Sequence, residues 1–180
     1  MSADSHRIMT SPRSLSGKIS PGLFDFQVNG FAGIDFQEDD LTGAQLDHAV
    51  AALRRHGVAR IFATLITDTI DRLSHRFENL ARLRDLNTAA SEMIAGFHLE
   101  GPWLSPEPGY RGAHPAEPMH APSIAEFEQL QRAAGEQIRL VTLAPEWADS
   151  PEFIHYLTAR GVHVSLGHTN ATDARIDEAI

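Results

Sequence analysis

The chain has 180 residues, a formal net charge of −9, 42% hydrophobic and 22% charged residues, and no cysteine. That length can bury one sizeable core. The acidic balance argues against a nucleic-acid partner, which needs basic patches, and without thiols any metal must be held by His, Asp or Glu. No apolar run approaches the ~20 residues of a membrane span. Residues 1–17 are polar, rich in Ser, Arg and Pro, and lack the apolar stretch of a signal peptide. Residues 1–18 therefore read as a disordered leader, ahead of a soluble, cytoplasmic protein over 19–180.

Five short apolar runs, 23–29, 60–67, 93–100, 138–144 and 162–167, read as buried strands, because each is nearly continuous rather than alternating. Helical patterns lie between them. Thr42 and Gln45 form a capping box ahead of Leu46, Ala49, Val50 and Leu53, and Gly57 stops that helix. Thr69 precedes Ile70, Leu73, Phe77 and Leu80. Ser123 and Glu126 make a second capping box before Phe127 and Leu130. Ser150-Pro151 predicts a cap followed by a first-turn proline, then Ile154 and Leu157, with Gly161 as the stop. A last helix begins near Thr172 and runs to Ile180 without a cap.

Strand alternating with helix predicts a parallel sheet with right-handed crossovers. The strand spacing resembles the roughly 31 residues per unit of a (β/α)8 barrel. The predicted fold is α/β, a partial TIM-type barrel of about five strand-helix units. The alternative is an open doubly wound sheet. No helix N-terminus follows Asn29-Gly30-Phe31-Ala32-Gly33, so that alternative lacks its phosphate loop.

In such folds chemistry gathers at the carboxyl ends of strands. Strand one ends with Asp25, Gln27 and Asn29 on one face, readable as site-lining groups or as interior polar packing. After strand two, Asp68 and Thr69 read as a helix cap. Strand three ends His98-Leu99-Glu100, placing His98 and Glu100 on one face. A buried carboxylate must be paired, hydrogen-bonded or metal-bound, so Glu100 is an ion-pair partner or a metal ligand. His98 reads as a supporting or core histidine. Glu146, after Pro145, reads as structural. His168, after Gly167 at the end of strand five, is a metal-ligand candidate. Imidazole with carboxylate suits Zn²⁺ or Fe²⁺. The Pro- and Gly-rich segment 101–122 has no regular period and is a candidate substrate loop through Tyr110-Arg111-Gly112-Ala113-His114. His48, His56, His75 and His155 lie on helix patterns and read as solvated.

Four motifs, in order, resemble the N-acetylglucosamine-6-phosphate deacetylase family of the amidohydrolase superfamily. They are Pro21-Gly22-Leu23-Phe24-Asp25-Phe26-Gln27-Val28-Asn29-Gly30, His98-Leu99-Glu100-Gly101-Pro102-Trp103, Val141-Thr142-Leu143-Ala144-Pro145-Glu146 and Ser165-Leu166-Gly167-His168-Thr169-Asn170-Ala171-Thr172. The resemblance implies Glu100 and His168 as ligands of one divalent metal ion, Zn or Fe, and Ala113 and His114 as sugar contacts. Gln27 and Asn29 stand where many amidohydrolases carry His-x-His, which implies a single-metal site and argues against a nucleobase deaminase. The implied reaction is deacetylation of a phosphorylated amino sugar. By the same resemblance the general acid/base aspartate and a second metal-binding histidine are expected beyond Ile180. The isolated chain is then expected to bind metal weakly and to be inactive without a complementary chain. The competing expectation is a non-enzymatic remnant or interaction module, pairing its strand edges with another chain or as a homo-oligomer.

Overall fold

The structure is a computed structural model that describes residues 13–15, 18–20 and 22–180. The predicted leader over 1–18 lies outside the described residues except at β1 (Arg13–Leu15) and the first residue of β2 (Lys18–Ser20), and these two strands pair antiparallel. Beyond them run β3 (Leu23–Val28), β4 (Gly30–Phe31), β5 (Ile34–Asp35), α1 (Gly43–Arg55), β6 (Val58–Ile66), α2 (Ile70–Asp85), α3 (Thr88–Met93) and β7 (Ile94–Glu100). They are followed by α4 (Ile124–Ala133), β8 (Ile138–Leu143), α5 (Ser150–Ala159), β9 (His163–Leu166) and α6 (Asp173–Ala179).

One five-stranded parallel sheet has the order β3-β6-β7-β8-β9. Each new strand adds beside the last, with no reversal of order. A doubly wound sheet reverses at a switch point. Strictly sequential order with right-handed crossovers puts the helices on one face, as in a barrel. The sheet is therefore a curled part of a TIM-type barrel. Its helix-covered face holds Ile61, Ala63, Leu65, Phe97, Leu99, Val141 and Leu143, all fully buried. Against them pack Leu46 and Leu53 of α1, Leu73 and Phe77 of α2, Phe127 of α4 and Leu157 of α5. Phe77 and Phe97 meet at 5.6 Å between ring centroids.

Most helix starts are as predicted. Thr42 and Gln45 form the full capping box, and Thr69 accepts from the Arg72 N–H. Ser123 accepts from the Glu126 N–H, but the Glu126 carboxylate turns away to His120 and the Trp103 indole instead of closing the box. The cap predicted at Ser150 is corrected: Asp149 occupies the N-cap position, and the buried Ser150 hydroxyl donates to the Ala144 carbonyl. The short α3 carried no sequence signal long enough to register, and it delays the third strand to Ile94.

The first strand departs furthest from expectation. It was predicted to be covered on both faces, yet Leu23, Phe24 and Phe26 are 61%, 52% and 61% exposed. β3 is an edge strand bonded only to β6. Phe24 has one aromatic neighbour, Phe62, at 5.0 Å.

Candidate metal centre

β7 is central in the sheet, and its last alternating residues, His98 and Glu100, both point to the face away from the helices. His98 lies one layer below the site. Its Nδ1 is 3.2 Å from Thr64 Oγ1 on β6 and its Nε2 is 2.8 Å from Thr142 Oγ1 on β8. Burial lowers its pKa to about 4, against a smaller opposing pull from Glu100, so the ring is neutral at physiological pH. It ties three strands together beneath the carboxylate.

Glu100 is 6% exposed. Its Oε2 accepts from Gln27 Nε2 at 2.9 Å. Simple alternation would put Gln27 opposite Phe24, away from Glu100. A register irregularity between Asp25 and Val28 brings it over. Asn29 serves the backbone, its carbonyl accepting from the Phe36 N–H at 2.9 Å.

Glu100 Oε1 faces two histidines. His168 Nε2 lies 3.2 Å away and His114 Nε2 4.0 Å away. The two imidazoles are 4.5 Å apart between centroids. One ligand atom from each of Glu100, His114 and His168 falls within 4.8 Å of the others. No Arg or Lys pairs with Glu100 among the described residues; its charged neighbours are the two histidines.

The hydrogen bonds on the far side of each ring decide what these atoms can do. His168 Nδ1 is 3.2 Å from the Tyr110 carbonyl, which only accepts, so Nδ1 carries the proton. Its other ring nitrogen, Nε2, faces Glu100 Oε1 at 3.2 Å. His114 Nδ1 lies 2.8 Å from Thr67 Oγ1, whose hydroxyl reaches the Glu100 carbonyl at 3.3 Å. A hydroxyl that donates to that carbonyl receives the His114 Nδ1–H, leaving Nε2 as a lone pair. Burial, with His168 alongside, lowers the His114 pKa despite Glu100 and keeps the ring neutral. Both Nε2 atoms and the Glu100 carboxylate thus converge on one point, with each Nδ1 bonded away from it. The donor set therefore fits a divalent ion that accepts mixed N and O ligands.

Local backbone explains why these residues meet. Gly101 has φ 85°, and a Cβ there would stand 2.1 Å from Thr67 Oγ1. Only glycine lets the chain turn off β7 against that hydroxyl. Trp103, fully buried, meets Phe153 at 4.7 Å, and its carbonyl accepts from the Ala144 N–H. The Ser105 N–H donates to the His168 carbonyl at 2.9 Å. The 101–122 loop is thereby tied across β8 and β9, and it delivers His114 to the cluster.

Sequence reasoning paired Glu100 with His168 and assigned His114 to the sugar by resemblance. The structure brings His114 into the ligand cluster itself, while the adjacent Ala113 is exposed. Thr67 was missed entirely. Its signal, a hydroxyl at the end of a strand next to a ligand-bearing strand, is visible only once β6 and β7 are known to pair Ile66 with Glu100.

No protein-family model matches the chain. Human N-acetylglucosamine-6-phosphate deacetylase is 33% identical over 181 aligned residues, covering 98% of this chain and 43% of its own length. An N-acetylgalactosamine-6-phosphate deacetylase from Shewanella is 37% identical, over 93% of this chain and 41% of its own. The crystal structure of N-acetyl-D-glucosamine-6-phosphate deacetylase from Mycobacterium smegmatis superposes with a TM-score of 0.77 at 33% identity, over 88% of this chain and 43% of that one. The chain thus spans about two-fifths of the length of the relatives it matches. By sequence and by fold it is a relative of the N-acetylglucosamine-6-phosphate deacetylases, matched over that part of their length.

Proposed function

We propose that the chain carries the metal-binding corner of a deacetylase site acting on N-acetylglucosamine 6-phosphate or a closely similar phosphorylated amino sugar. The observation that carries this reading is the convergence of Glu100, His168 and His114 at the strand ends, with both rings held so that Nε2 faces the carboxylate. Glu100 and His168 hold one divalent ion, zinc or iron, and His114 presents a further donor from the substrate loop. When bound, such an ion acidifies a water and polarises an acetamide carbonyl. Gln27 orients the Glu100 carboxylate, and the 101–114 loop lies where the sugar would sit. The relatives' printed activities and the chain's share of their length support a further point: the 180 residues alone bind metal but do not turn over, and a complementary segment supplies the rest of the site.

The test measures Co²⁺ or Zn²⁺ affinity of purified 1–180 by competition with a chromophoric chelator, alongside acetate release from N-acetylglucosamine 6-phosphate. Measurable binding that falls at least ~10-fold in Glu100→Gln is expected, with no acetate release by the isolated chain. Equal affinity in both proteins would sink the metal assignment. Turnover by the metal-loaded wild-type chain would sink the claim of incompleteness.

A further inference from the structure

Among the described residues, three that are not glycine adopt positive φ: Ala32, Glu136 and His168. Ala32 sits in the tight turn between β4 and β5, and Glu136 follows Gly135 just past α4, both places where such a backbone is ordinary. His168, with φ 51°, sits between β9 and the approach to α6, in a region that few residues other than glycine occupy, although histidine enters it more readily than most. Such a conformation persists only where the surroundings over-determine it.

Much of what surrounds it meets at Glu146, just after β8. Its Oε1 accepts from the Asn170 N–H at 3.0 Å, and its Oε2 accepts from the Thr169 hydroxyl. On the other side of the turn, the Ser105 N–H holds the His168 carbonyl at 2.9 Å. Arg175 Nη2 reaches the Glu146 carbonyl at 3.2 Å and the Trp147 carbonyl at 3.3 Å, fastening the turn to α6. One carboxylate thus gathers the two residues that follow His168. Ahead of it, the Gly167 N–H is bonded to Leu143. His168 is pinned on both sides.

We propose that Glu146 is a positioning residue for the metal centre, holding His168 in the left-handed backbone conformation that aims its Nε2 at Glu100. This rests on the metal-site reading above. A purely structural staple would join the loops after β8 and β9 without affecting the ring. The positioning role makes ring orientation depend on the carboxylate.

The deciding experiment compares wild type, Glu146→Gln and Thr169→Val in the 1–180 chain. In metal-free protein, long-range ¹⁵N NMR is expected to show His168 ring-nitrogen signals in Glu146→Gln that differ from those of wild type. In Co²⁺ titrations, Glu146→Gln is expected to lose 10–100-fold in affinity with altered visible bands. Thr169→Val, which removes one donor and leaves the carboxylate, is expected to lose less, and it carries the test if Glu146→Gln does not fold. Wild-type His168 ring-nitrogen signals in the variants would overturn the inference. Failure of wild type to bind Co²⁺ would overturn the metal reading, and the metal-free NMR comparison would still decide the role of Glu146.

Discussion

Glu100 shows how one buried charge organises its neighbours. Left bare in the interior it would be prohibitively costly, and the chain answers with one amide and two imidazoles. The reach of this arrangement extends to Thr67, which touches no ligand atom facing the site but sets which nitrogen of His114 is protonated. Thr67→Val keeps the shape and removes the hydroxyl. It is expected to weaken metal binding by about 10-fold, with Thr67→Ser restoring most of the loss; equal affinities in wild type and Thr67→Val would show that the tautomer does not matter. The pairing of His98 with Glu100 on one face was legible from alternation alone. Thr67 was not, because its role depends on a hydrogen bond across strands to a residue 47 positions away.

Among elements, the segment from β7 into its loop links sequence to site most directly. Trp103 is its anchor, and the loop's far end is fastened by His120. Both His120 ring nitrogens face acceptors, the Pro118 carbonyl and the Glu126 carboxylate, each at 2.7 Å. Burial is the largest influence and acts to lower the pKa, but the bonds to Glu126 and Pro118 outweigh it and the net shift is upward. A raised folded pKa means this contribution to stability is complete below the unfolded value near 6.5 and is lost as pH rises through the folded value. Thermal midpoints measured across about pH 6 to 8 should therefore fall more for wild type than for His120→Gln. Parallel curves would mean that the imidazolium pair does not stabilise the loop. The caps of α1 and α2 were readable because a cap is a local hydrogen bond between residues three apart. α3 was not, since six residues make less than two turns of periodic signal.

At the scale of the whole molecule, five sequential parallel strands leave β3 as an edge, with three large apolar side chains more than half exposed. An unpaired apolar edge is a template for association. The 1–180 chain is expected to elute in size-exclusion chromatography as a species larger than monomer, and Phe24→Ser with Phe26→Ser to shift it toward monomer. A wild-type chain that is monomeric at high concentration would contradict this. Sequence by itself determined the strand-helix alternation, the parallel sheet, and the placement of Glu100 and His168 at strand ends, because those follow from periodicity and turn chemistry within short windows. Only the tertiary structure decided that the sheet adds strands in one direction, that a bulge swings Gln27 onto Glu100, that the loop returns His114 to the same point, and that Glu146 holds the backbone of His168. Those are contacts between residues far apart in the chain, set by strand register and loop closure, and no local pattern encodes them.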